Sequence, residues 1–260
     1  MERVAVCGRE LECERIPALR EGLPTLVFLH EGLGSAALWR DFPAAIARQT
    51  GCSALIYSRY GNGFSTVLES ARAPSYMHDE GRATLPALLA TLGIDDAVLV
   101  GHSDGASIAL ICAAEIPSVV RALVLEAPHV FVEELSVRSI AAIRKVYEAG
   151  DLRERMMRHH ADVDATFYGW NDVWLSPSFR DWNVEAELAG VAAPALVVQG
   201  TNDEYGTLAQ VEAIAHRVAA PVDRLLLAEC GHAPHRDRRG LVEEAVAAWV
   251  ARASRKTVVR

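Results

Sequence analysis

The stretch from 96 to 110, Asp96-Ala-Val-Leu-Val-Gly-His-Ser-Asp-Gly-Ala-Ser-Ile-Ala-Leu, decides how this chain folds. An apolar, strand-like run ends at Val100, and a helical pattern begins directly after Ser103. So short a passage from strand to helix needs small residues on both sides of Ser103. Side chains at Gly101 and Gly105 would meet the neighbouring strand and helix. The turn lifts the Ser103 hydroxyl above the sheet edge, beside a helix N-terminus. Gly-x-Ser-x-Gly alone arises by chance in about one chain of this length in ten. The strand before it and the helix after it set it apart from an ordinary turn with a capping serine.

Outward from this turn, short apolar runs alternate with longer helical patterns, the rhythm of a mostly parallel sheet covered on both faces. Buried strands are expected at Thr25–Leu29, Ala54–Tyr57, Ala97–Val100, Ala122–Leu125, Ala195–Val198 and Arg224–Leu227. Val4–Val6 and Glu10–Ile16, with Gly8 between them, read as an antiparallel edge hairpin. Helical patterns fill 37–49, 78–92, 104–115, 207–219 and 240–252. The rhythm fails between Pro128 and Gly190, where only helical periodicity and Trp170, Trp174 and Trp182 are found. That interval reads as a helical cap, residues 129–189, over a core of 1–128 and 190–260. Open parallel sheets bind ligands beyond the carboxyl ends of their strands, where such a cap would lie.

A serine hydroxyl needs a base within hydrogen-bond reach to act as a nucleophile. Of nine histidines, His232 has the best position, in a loop after the last strand and before the final helix. His235 is the rival, but Arg236-Asp-Arg-Arg follows it and suggests a solvated side chain. His102 lies inside the turn, pointing away from Ser103. The imidazole in turn needs a carboxylate to set its tautomer. Asp203 follows the Ala195–Val198 strand by a few loop residues; Glu204 and Glu126 are alternatives. An oxyanion hole needs fixed donors. The loop after Leu29, with Gly32 and Gly34, can supply the Gly32 N–H beside that of Asp104.

Composition narrows the partners. A net charge of −8 over 260 residues argues against nucleic acid and against anionic membrane surfaces. The basic tail (Arg252, Arg255, Lys256 and Arg260) is short and reads as a solvated terminus. Five cysteines without CxxC spacing fit a reducing cytoplasm better than a disulfide framework. No signal-peptide core and no apolar run of membrane-spanning length is present. His159-His160 is not a metal pair, because adjacent residues diverge on a helix and no third ligand is evident. The expected partner is a small ester-like molecule with an apolar part, acted on by a cytoplasmic monomer or homodimer.

Taken in order, His30-Glu-Gly-Leu-Gly-Ser, Ser58-Arg-Tyr-Gly-Asn-Gly-Phe-Ser, Gly101-His-Ser-Asp-Gly, Gly200-Thr-Asn-Asp and Gly231-His-Ala-Pro resemble the landmarks of the α/β-hydrolases. The resemblance covers nearly the whole chain and is greatest to small bacterial esterase- and haloperoxidase-like members with a helical cap. It implies an eight-stranded sheet, a cap after the sixth strand, no cofactor, and a triad in the order Ser103, Asp203, His232. It further implies acyl-enzyme cleavage of an ester, thioester or lactone. Carbon–carbon hydrolysis or lysis, or ligand sensing without turnover, are the other activities this scaffold hosts. Dehalogenation would want a carboxylate where Ser103 stands. Arg59, Gly61 and Gly63 would shape the loop beside the pocket. Two positions depart from the commoner pattern: Glu31, where glycine is usual, and Asp104, where an apolar or amide residue is usual. Either their carboxylates turn into structural hydrogen bonds, or one of them contacts a polar substrate group or disfavours anionic acyl groups. Trp170 and Trp174, four apart on one helix face, pack the cap and are candidates for an apolar pocket.

Overall fold

The computed structural model describes residues 1–254. Its eight strands are β1 (Glu2–Val6), β2 (Arg9–Ile16), β3 (Thr25–Leu29), β4 (Ser53–Tyr57), β5 (Ala97–His102), β6 (Val120–Glu126), β7 (Ala195–Gly200) and β8 (Val222–Leu227). They form one sheet in the order β1-β2-β4-β3-β5-β6-β7-β8. β1 and β2 are antiparallel to each other, as is β2 to β4; every other pairing is parallel. The Cys7–Gly8 turn of the hairpin has positive φ at both residues, the geometry that matches strand twist.

The helices are α1 (Phe42–Thr50), α2 (Tyr76–Asp79), α3 (Leu85–Thr91), α4 (Asp104–Glu115), α5 (Glu134–Glu148), α6 (Asp151–Met156), α7 (Val163–Leu175), α8 (Leu208–Arg217), α9 (Pro234–Asp237) and α10 (Arg239–Ala253). A π-helical turn, Glu80–Thr84, joins α2 to α3, so the pattern expected over 78–92 is one bent element. Side-chain alternation divides the core. Val27, Leu29, Leu99, Leu123 and Val197 face α3, α4 and α8, whereas Leu26, Phe28, Val98, Val124 and Val198 face α1 and α10. Strands buried on both faces read as continuous apolar runs for this reason. β8 departs from that expectation. It is an edge strand paired only with β7, and Leu226 is exposed.

Between β6 and β7 lie α5, α6, α7 and two 3₁₀ turns; the only β feature there among the described residues is the isolated Phe131–Asn183 bridge. Phe179, Trp182 and Leu188, at the end of this interval, pack into the same core as β5 and α4. No helix among the described residues is long and apolar enough to cross a membrane. Of the basic tail, Arg252 pairs with Asp223; its remaining residues lie outside the described ones. The five cysteines are unpaired, and Cys52 and Cys112 are buried in the core.

Candidate active site

Ser103 stands between β5 and α4 with φ 54° and ψ −121°, a strained conformation for a residue bearing a side chain. Its flanking glycines explain how the chain tolerates the turn. A Cβ on Gly101 would sit 2.6 Å from the Ala106 N and Cα atoms, and one on Gly105 would sit 2.7 Å from the His30 carbonyl oxygen. α4 therefore presses directly on β3 and β5, aiming its N-terminus at the carboxyl edge of the sheet.

The loops after β7 and β8 bring Asp203 and His232 to that edge. His232 Nε2 lies 2.9 Å from Ser103 Oγ, and Nδ1 lies 2.9 Å from both Asp203 carboxylate oxygens. Asp203 also accepts from the Tyr205 N–H (2.7 Å), the Gly206 N–H (3.2 Å) and the Gln199 amide (2.7 Å). Burial alone would push its carboxyl upward, but His232 and these donors outweigh that and hold it at about 2. Glu204 takes a different place, with its carboxylate 3.3 Å from the His232 N–H. Glu126, the third candidate acid, is bound elsewhere: it accepts from His235 Nδ1 at 2.8 Å. His235 is not solvated as its arginine-rich neighbourhood suggests. It is 4% exposed and wedged against Trp39 and Phe42, because α9 turns this one side chain inward while Arg236 faces out.

The loop after β3 is held from behind. The His30 ring accepts the Arg59 N–H at Nε2 (3.0 Å), so its Nδ1–H donates to the Glu31 carbonyl at 2.7 Å. Burial and the nearby Arg59 keep His30 well below its ordinary range, fixing the neutral tautomer. The Arg59 guanidinium also donates to the Glu31 carbonyl, at 2.8 Å. In a planar trans peptide the N–H of the next residue points the opposite way. Anchoring the Glu31 carbonyl thus turns the Gly32 N–H away from His30 and Arg59. The Asn62 amide clamps the same loop by donating to the Gly32 and Gly34 carbonyls, both at 3.0 Å. Among the described residues, neither the Gly32 nor the Asp104 amide has a hydrogen-bond partner.

Both of these residues line a cavity of about 410 Å³ that also contains Ser103 and His232. Glu31, Trp170 and Trp174 line it too, with Leu33, Ile140, Ile143 and Leu152 forming its apolar side. The Trp170 indole covers Gly32 so closely that no side chain fits there. The Asp104 carboxylate is turned into structural hydrogen bonds. It accepts from the Tyr76 hydroxyl at 2.5 Å and lies 3.9 Å from Arg59. Tyr76 in turn accepts from Trp174 Nε1 at 3.0 Å, linking α7 to the Ser103 turn. A selection against anionic acyl groups by Asp104 is therefore not built into this site, since Arg59 offsets its charge.

A family model described as "Alpha/beta hydrolase family" matches residues 26–245. The chain belongs to the alpha/beta hydrolase family. Among curated relatives of this hydrolase, a proline iminopeptidase of Levilactobacillus brevis is 28% identical over 273 residues, covering 88% of this chain and 87% of the relative. Among solved structures, proline iminopeptidase of Mycobacterium smegmatis superposes with a TM-score of 0.72 at 21% identity, over 97% of this chain and 98% of that one. The enol-lactonase of Burkholderia xenovorans LB400 gives 0.75 at 20% identity, over 96% and 99%. At these identities the two structures speak for the hydrolase fold alone.

Several site residues of this hydrolase carry no sequence signal. His129 and Tyr205 pack on the His232 ring, with centroids 5.6 and 4.7 Å away. Burial and the neighbouring His232 push the His129 imidazole down to about 3, leaving it neutral. Asn62 sits within the glycine-rich turn, where its spacing from Gly61 and Gly63 draws attention to the backbone rather than to its amide.

Proposed function

We propose that this chain is a serine hydrolase that cleaves a carboxylic ester, thioester or lactone through an acyl-enzyme. Ser103 Oγ attacks the carbonyl carbon while its proton passes to His232 Nε2. Asp203 stabilises the imidazolium, and the Gly32 and Asp104 N–H groups receive the oxyanion. Collapse breaks the bond to the leaving group, which takes the proton from His232. Water then attacks the acyl-enzyme with His232 as base, releasing the acid and restoring Ser103. The observation that carries this reading is the continuous Ser103–His232–Asp203 hydrogen-bond chain opening on a cavity with two unpartnered amides.

The apolar side of the cavity supports a substrate with an apolar portion, and α5, α6 and α7 serve as its cap. A second reading, cleavage of an amide at a peptide N-terminus by the same steps, is favoured by the proline iminopeptidase relative. One panel decides between them: p-nitrophenyl esters of increasing chain length, aromatic esters and lactones against aminoacyl anilides. The expected result is turnover of the esters, and covalent capture by a fluorophosphonate that Ser103→Ala abolishes. Labelling that persists in Ser103→Ala would overturn the assignment, and turnover of anilides alone would move it to the second reading.

A further inference from the structure

Glu31 is the departure from the family pattern that the reaction above leaves unused. Its carboxylate lies between an imidazole and a guanidinium, with Oε2 3.6 Å from His102 Nδ1 and Oε1 3.4 Å from the Arg236 guanidinium. Each of these three residues is close in sequence to a working one. Glu31 precedes Gly32, His102 precedes Ser103, and Arg236 lies four residues beyond His232.

The protonation of His102 follows from its surroundings. Its Nε2 is 2.6 Å from the His232 carbonyl oxygen, and a carbonyl only accepts, so Nε2 carries a proton. Nδ1 is buried, has no hydrogen-bond partner among the described residues, and faces the Glu31 carboxylate. In a neutral ring that Nδ1 would aim a lone pair at a carboxylate oxygen inside the protein. A second proton turns this repulsion into an ion pair.

We propose that Glu31 holds His102 as an imidazolium, and that the Arg236–Glu31–His102 chain is a positioning device for hydrolysis. It ties the oxyanion loop and the His232 loop to the nucleophile turn, and so rests on the hydrolase reading. His102 anchors the His232 main chain, while Glu31 bridges from the residue before Gly32.

The other groups around His102 are consistent with this state. Glu126 stands beside it on β6 and is already engaged by His235, whose ring lies edge-on to His102 at 5.0 Å. The His232 ring is 5.2 Å away. Burial opposes the charge on His102, but Glu31, with Glu126 and the His232 carbonyl, raises its pKa above the ordinary value. Burial likewise opposes the charge on Glu31, yet His102 and Arg236 hold it well below the usual carboxylate range. A raised imidazole keeps its pairing in full below the ordinary histidine range and loses it as pH rises through the raised value. The rate therefore falls on the alkaline side as His102 loses its second proton.

The test is the kcat/KM profile with pH for wild type, Glu31→Gln and Arg236→Gln, beside nitrogen-15 NMR of the histidine rings. In Glu31→Gln the amide N–H donates to an unprotonated Nδ1, so the alkaline fall disappears and His102 carries one proton at neutral pH. In Arg236→Gln a competing cation is gone, so the fall moves to higher pH. A purely structural role would move neither limb. An unchanged alkaline limb in both variants, or a singly protonated His102 in wild type at neutral pH, overturns the proposal. Should wild type neither hydrolyse esters nor take the fluorophosphonate, the hydrolase reading falls instead. The NMR arm would still report on the His102–Glu31 pair.

Discussion

Replacing Gly105 with alanine tests the close approach that positions Ser103. The new methyl carbon would lie 2.5 Å from the Leu29 carbonyl carbon and 2.7 Å from the His30 carbonyl oxygen, and would collide with the Leu29 oxygen. Carbon contacts relax near ~3.5–4.0 Å, so α4 must retreat from β3 by about 1 Å. Overpacking costs about 1–3 kcal/mol. The atoms struck here are main chain at the end of a central strand and cannot swing aside, which places the cost near about 3 kcal/mol. For a chain of this size that lowers Tm by roughly 6–12 °C. The same retreat carries Ser103 away from His232, and a displacement of about 1 Å costs on the order of 10²-fold in rate. Thermal unfolding followed by circular dichroism, with the rate of fluorophosphonate capture, reads both effects. Gly240→Ala is the control, because its Cβ meets open space in the first turn of α10 and should leave melting and labelling near wild type. If Gly105→Ala melts with wild type and labels at the wild-type rate, the steric account of the Gly-x-Ser-x-Gly turn is wrong.

Asp203→Asn keeps the shape of the loop but removes the charge that stabilises the His232 imidazolium, and should lower kcat by about 10⁴-fold. Since Asp203 is held at about 2, its support is present above the ordinary carboxylate range and lost only as pH falls through about 2. A wild-type rate that Asp203→Asn leaves intact would remove Asp203 from the proposed triad. Tyr76→Phe deletes the hydroxyl shared by Trp174 and Asp104, leaving a buried donor and a buried carboxylate short of a partner. It should cost about 1–3 kcal/mol in denaturant unfolding; no measurable loss would mean the link does not stabilise the fold.

The meeting of Ser103, Asp203 and His232 was legible from what stands before each, an apolar run that ends in a loop. Parallel strands deliver all such loops to one edge, so position along the chain carries position in space. Gly32 was legible for the same reason, being the loop residue after β3. His235 was misread because neighbouring charges describe a segment, whereas one turn of helix sends adjacent side chains to opposite sides. Its partner Glu126 lies 109 residues away, and no local pattern can announce such a pair. The same holds for Asn62 clamping the Gly32 loop from a separation of 30 residues.

Local chemistry thus determined the alternation of strands and helices, the sharp turn at Ser103 and the chain order in which Ser103, Asp203 and His232 reach one edge. Each depends on side-chain size and polarity within a few residues. Tertiary structure decided which partners the carboxylates met. It turned Asp104 onto Tyr76 and Arg59, set Glu31 between His102 and Arg236, and paired Glu126 with His235. A carboxylate's role depends on which cation or donor shares its low-dielectric surroundings. Those partners come together only when distant loops meet at the sheet's carboxyl edge.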